Sequence, residues 1–215
     1  MMNILRYLLT AILVTIPAVV MAGPITIVSQ QDTWNYNQTV PGNNFGVNPT
    51  LTYGQFTSGY TGTSTGQAAF GNTNHFTVPN YSTYWAASST LFLRKQVNIA
   101  GSVVGNAILN IALDNGATVF INGNKVFEQN AEGFTTAPPN YSWEYPNQAV
   151  LGSYFINGLN EIAVIANDWG GGTYFDMELT ATTAAVPEPG SLLLVMFAVM
   201  GLGVISIRRR TTQAA

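Results

Sequence analysis

The chain predicts an all-β sandwich domain held between two hydrophobic ends, and three observations carry that prediction. Tyr174–Thr182 alternates strictly, with Phe175, Met177, Leu179 and Ala181 on one face and Asp176, Glu178, Thr180 and Thr182 on the other. That period of two is the mark of a strand with one buried and one wet face. Asn122-Gly123 sits between two apolar segments and supplies the two positive-φ residues of a tight hairpin turn. Apolar runs at both termini inflate the 47% hydrophobic composition, so that figure says little about the core between them.

At the N-terminus, Met1–Ala22 carries one charge, Arg6, before the apolar stretch Tyr7–Val20 with Pro17 near its end. Val20-Met21-Ala22 then places a small residue at a cleavage position. This is the pattern of a secretory signal peptide helix, and cleavage after Ala22 leaves Gly23 as the mature N-terminus. Residues 23–185 are then one domain, long enough to bury roughly two-thirds of the unfolded surface in a single core. Arg94, Lys95 and Lys125 stand against nine carboxylates in this segment, a net of −6. Such a balance excludes a phosphate-backbone ligand, so no nucleic acid is expected. The absence of cysteine excludes disulfides, thiol catalysis, zinc–thiolate sites and iron–sulfur clusters.

Within the domain, residues 23–83 read as loop-rich. Asn, Thr, Gly, Tyr and Ser dominate, and Asn43-Asn44, Asn48-Pro49 and Gly59–Gly66 are turn formers. Tyr53, Phe56, Tyr60, Phe70, Phe76, Tyr81, Tyr84 and Trp85 carry too much aromatic surface for disorder, so ordered loops wrapped over the sandwich are expected. Residues 84–182 form the strand core. Leu91, Leu93, Val97 and Ile99 alternate with Phe92, Arg94, Gln96 and Asn98. Ile108–Leu113 and Ile162–Ala166 are continuously apolar, as in strands covered on both faces. Asp114-Asn115-Gly116 and Asn122-Gly123 divide residues 107–128 into an expected three-stranded meander. Thr182–Ala185 is a short linker.

Beyond it, residues 186–210 combine three parts. Val186-Pro187-Glu188-Pro189 cannot join a helix smoothly, because each proline fixes φ and disfavours helix in the residue before it. Residues 191–207 are uncharged and apolar, about 25 Å long as a helix and workable as a single transmembrane span. Arg208, Arg209 and Arg210 then read as a cytoplasmic stop. This order closely resembles the PEP-CTERM sorting signal of Gram-negative bacterial surface proteins. The resemblance covers the last 25–30 residues and implies export, transient residence in the inner membrane, and recognition by an exosortase-type transpeptidase near Pro187-Glu188-Pro189. It also implies delivery to the cell surface or extracellular matrix of an organism that makes exopolysaccharide or biofilm.

A second resemblance covers residues 85–182. Leu113-Asp114-Asn115-Gly116, Val119-Phe120-Ile121-Asn122-Gly123 and Gly158-Leu159-Asn160 followed by Glu161–Val164 look like a galactose-binding-like jelly roll. In that family a strand ending in Asp-Asn leads to one ending in Asn-Gly, and a Gly-x-Asn turn precedes a late core strand. The resemblance implies a jelly-roll order of strands and, in many such domains, a structural calcium. Asp114, Asp168 and Asp176 are the candidate oxygen donors for calcium, although no EF-hand or nonapeptide calcium motif is present.

The residues offer little for catalysis. His75 is the single histidine, in a polar loop with no nucleophile elbow near it. Asp176 and Glu178 lie on one strand face, where alternation explains them as solvent-facing rather than as a glycosidase pair. Sugar binding suits the composition better, since aromatic rings stack on sugar faces while amides and carboxylates hydrogen-bond the hydroxyls. The candidate ligand-binding residues are Trp143, Tyr145, Asp168, Trp169 and Tyr174, all in or beside loops rich in Asn and Gly. The expectation is an exported, non-catalytic module for extracellular polysaccharide. A structural biofilm-matrix protein without a small ligand is the alternative.

Overall fold

The computed structural model describes residues 23–43, 51–74, 78–129 and 148–184. The predicted signal peptide, the tail from 185 onward, His75, Trp143 and Tyr145 lie outside the described residues. The described residues form two six-stranded sheets packed face to face.

The first sheet runs β10 (Gln148–Leu151), β7 (Asn106–Asp114), β12 (Tyr174–Thr183), β4 (Phe70–Gly71) and β5 (Thr83–Tyr84), with β1 (Gly23–Val28) also on β12. The second runs β3 (Ser64–Gln67), β2 (Thr33–Gln38), β6 (Thr90–Ile99), β11 (Gly158–Asn167), β8 (Gly116–Ile121) and β9 (Asn124–Gln129). Pairing is antiparallel except between the short β4 and β5. The β-sandwich expected from the alternating strands is therefore present, and β6 and β12 start and end within a residue of the predicted runs.

The main core lies between the sheets, where Leu91 and Leu93, Ile111 and Leu113, Ile162 and Val164, and Phe175 and Met177 meet. A second apolar layer explains why Ile162–Ala166 does not alternate. Ile162, Val164 and Ala166 face the inter-sheet core, whereas Ala163 and Ile165 face outward beneath a helix, α1 (Tyr53–Gly59). This helix lies in a segment where the sequence suggests loops. Two glycines and seven residues give it little intrinsic stability. It forms because Thr52 and Gln55 close a reciprocal capping box and because Phe56 buries against Leu51, Phe92, Phe120 and Ile165. Gly59 permits that approach, since a Cβ there would lie 2.2 Å from the Phe92 ring. The region 23–83 is thus not merely loops: β1 and β2 extend one sheet each.

The three-stranded meander over 107–128 is corrected by the pairing. β7 and β8 lie in different sheets, so Asp114-Asn115-Gly116 is a crossover between layers and not a hairpin turn. Only the second turn is a hairpin: Asn122 (φ 50) and Gly123 (φ 80) join β8 to β9. Asn122 has a further role. It exchanges backbone and side-chain hydrogen bonds with Glu161, and its Nδ2 donates to Tyr154 O and Asn160 Oδ1, both at 2.8 Å. Asn160, fully buried, donates to the Ile156 and Gly158 carbonyls and accepts from Ile156 N. The Gly-x-Asn turn therefore works as an internal cap at the start of β11.

Candidate functional site at one end of the sandwich

The ends of β7 and β11 and the beginnings of β8 and β12 converge, and three of the candidate residues sit there. Asp114 and Asn115 form the crossover, with Asn115 Nδ2 donating to Asp114 Oδ1 at 2.8 Å and Asn115 N donating to Asn167 O at 3.2 Å. Asn115 Oδ1 accepts from Trp169 N at 2.9 Å. Asp168 Oδ2 accepts from Ser88 N and Gly170 N, so one carboxylate ties the loop after β11 to the turn before β6. On the other side, Asn72 holds the loop by accepting from Thr173 N (2.8 Å) and donating to Gly171 O (3.3 Å). The Trp169–Gly172 loop is thus pinned at both ends by hydrogen bonds, part-buried except for the exposed one to Gly171 O, and Trp169 itself is partly exposed.

The electrostatics of this end are unusual. Asp114 and Asp168 are both buried. Burial, then the charge of Asp168, pushes the Asp114 carboxyl up to about 7. Burial also raises Asp168, against the opposing pull of the Ser88 and Gly170 N–H groups. Two carboxylates near enough for the charge of Asp168 to raise Asp114 are part of a calcium donor set, and calcium takes about six to eight oxygens. Asp176, the third candidate, is elsewhere: it lies beneath the β1–β2 turn and accepts from Gln31 N and Met177 N. Among the described residues no group of three or more acidic or histidine side chains could hold a metal.

Two sequence-based expectations are corrected here. Tyr174 is fully buried and its hydroxyl donates to Pro79 O at 2.7 Å, so its ring presents no face to a ligand. It packs with Ala69, Val78 and Ala112 on the outer side of the first sheet. Asp176 is not solvent-facing but fully buried, because the β1–β2 turn closes over that face of β12. Trp34 and Trp85 are likewise core residues, the latter donating from Nε1 to Ser89 Oγ at 2.9 Å. Asn72 and Ser88 join the site without any signal in the sequence. Each is an ordinary polar residue of a turn, and nothing in its immediate neighbours marks the distant loop it holds.

The described domain is a β-sandwich without disulfides whose polar, glycine-rich loops gather at one end, and a sorting signal lies C-terminal to it. Residues 185–210 match the PEP-CTERM protein-sorting motif. That motif indicates an exported, extracellular protein processed through the exosortase system. No curated protein matches the chain. Among solved structures, the PA14 domain of the antifreeze protein MpAFP aligns at 12% identity with a TM-score of 0.40, over 76% of this chain and 88% of that one. A family 35 carbohydrate binding module from Clostridium thermocellum aligns at 14% identity with a TM-score of 0.30, over 74% and 98%. Among the described residues no helix is long and apolar enough to cross a membrane.

Proposed function

We propose that this is a surface or extracellular-matrix protein of a Gram-negative bacterium that binds polysaccharide without catalysing a reaction on it. On this reading the signal peptide is removed at Ala22, the chain waits in the inner membrane through residues 191–207, and processing at Pro187-Glu188-Pro189 delivers it outward. The observation that carries the binding part is Trp169: a partly exposed indole on a loop whose backbone is pinned by Asn115, Asp168 and Asn72. A pre-ordered aromatic beside amide groups is what a sugar ring needs, because little entropy is lost on binding. Trp143 and Tyr145 extend this reading as further candidate rings.

A structural matrix role is the second reading, favoured by the burial of Trp34, Trp85 and Tyr174, which leaves fewer rings for ligands than the sequence suggests. A glycan-array screen of the full-length protein and its Trp169→Ala variant, each with and without calcium, separates the two. Binding lost in the variant supports the end-loop site; no binding by the folded wild-type protein moves the assignment to the matrix role.

A further inference from the structure

The end of the sandwich opposite the Trp169 loop gathers most of the domain's exposed apolar side chains. β6 and β12 finish there, and β7 and β11 begin there. Val103 bridges to Thr183, Gly101 N donates to Asn157 Oδ1 at 3.0 Å, and Ala184 N donates to Ser102 O at 2.8 Å. Among the described residues seven large apolar side chains are exposed, and five of them, Val104, Ile108, Leu151, Ile156 and Leu159, surround this end. Leu151 pairs with Asn106, on the same outer face of the first sheet as Ile108. Leu159 pairs with Asn98 on the outer face of the second sheet, and Ile156 lies in the loop between β10 and β11. Residues 23–31, 96–113, 148–160 and 179–184 carry no charge. The charged residues nearest this end, Glu161 and Lys125, are paired with Arg94 and Glu128. Single exposed apolar residues are ordinary on any protein, but a set sorted onto an uncharged end marks an interaction surface.

This is also the end from which the chain leaves the domain. β1 starts there at Gly23, paired with Thr183, and Ala184 is the last described residue. Six residues, 185–190, separate it from the apolar run 191–207, and fully extended they reach only about 20 Å. We propose that, while the tail is in place, this end rests on the lipid bilayer, with Val104, Leu151, Ile156 and Leu159 in the headgroup layer of a zwitterionic membrane. The proposal rests on the membrane-anchored precursor of the reading above and not on sugar binding. The tether supplies much of what a weak contact lacks, because it keeps the lipid surface at high effective concentration. No cation belongs to the surface, so docking draws on apolar burial and on hydroxyls and amides that meet the headgroups, not on anionic lipid. Docking also sets the direction of the molecule. β7 and β11, nine and ten residues long, run from this end towards the Trp169 loop and hold it roughly 30 Å from the lipid.

The chain has no cysteine, so an introduced one reports a single position. The test reconstitutes the full-length protein in phosphatidylcholine vesicles, with and without lipid brominated near the headgroup. The variants Ile156→Cys, Leu159→Cys and Tyr84→Cys each carry a polarity-sensitive fluorophore. Tyr84 is as exposed as Leu159, both 59%, but lies at the far end, paired with Gly71. At a single copy per vesicle, the labels at 156 and 159 should shift to shorter wavelength and be quenched by brominated lipid, and the label at 84 should do neither. Bromine quenches only at contact, so tethering alone gives no signal. Adding Leu151→Glu and Leu159→Glu to the Ile156→Cys protein should lower the quenched fraction about tenfold, about the worth of one part-buried leucine. Protein that fails to float with the vesicles would overturn the anchor and the docking together. Floated protein with no quenching at 156 and 159, equal quenching at 84, or unchanged quenching in the glutamate variant would overturn the docking alone. A wavelength shift that ignores bromine and vanishes on dilution to a single copy would overturn it too, assigning this end to a second copy of the chain.

Discussion

Asp176 is a carboxyl group buried where the unfolded chain would leave it in water. Burial pushes it up to about 7, against the pull of the Gln31 and Met177 N–H groups. The folded protein therefore holds this proton at pH values where the unfolded chain, ionising near 3.8, has released it. Its stabilising contribution is complete below the unfolded value, is lost as pH rises towards 7, and changes no further above that. Asp114, also raised to about 7, and Asp168 act in the same sense. The melting temperature should thus fall between about pH 4.5 and 7.5, and Asp176→Asn should flatten that slope and raise stability at about pH 8. Thermal melts across that range check it; a melting temperature that climbs with pH would refute it. Asn160 makes a second prediction. Its side chain satisfies Ile156 on both N–H and carbonyl, so Asn160→Ala should cost about 2–4 kcal/mol in urea unfolding, through buried groups left unpaired. Asn160 was legible as a turn residue. Asp176 was not, because Gln31 lies 145 positions away along the chain and no local pattern reports what closes over a face.

Two local elements differ in how far the sequence reveals them. The β8–β9 hairpin follows from Asn122-Gly123, since few other residue pairs take two positive φ angles without strain. Gly123→Val should cost about 1–2 kcal/mol by forcing a β-branched residue into a left-handed conformation, readable in chemical denaturation. Helix α1 gives no comparable signal. Its capping box is visible as Thr52 and Gln55, but seven residues with two glycines do not propagate alone. Its stability comes from Phe56 in the pocket formed by Phe92, Phe120 and Ile165, on a sheet that the helix reaches only in the folded chain. Phe56→Ala should therefore cost about 3–5 kcal/mol and expose Phe92. Hydrogen exchange confined to 51–60 with little global loss would contradict that coupling.

At the scale of the whole molecule, the sorting motif and the residues of the proposed binding site lie on separate parts of the chain. The motif at 185–210 governs processing, so replacing Pro187-Glu188-Pro189 by three alanines should block tail removal and leave the protein in the membrane fraction. Cell fractionation and the mass of the released chain check this; wild-type release would refute it. The same replacement should leave glycan binding unchanged, because every binding residue proposed lies before 185. Trp169→Ala should do the reverse, abolishing end-loop binding with normal export.

By themselves, the residues of this chain determined the period-two strands, the Asn-Gly hairpin and the sorting tail. Each depends on neighbours a few positions apart, where backbone geometry and local polarity are enough. The tertiary structure alone decided that β7 and β8 part into different sheets, that Tyr174 and Asp176 are buried, and that Asp114 meets Asp168. It likewise decided that exposed apolar side chains gather at the end from which Ala184 leaves the domain. These are consequences of which distant segment closes over each face, set by the packing of both layers at once rather than by any local run of residues.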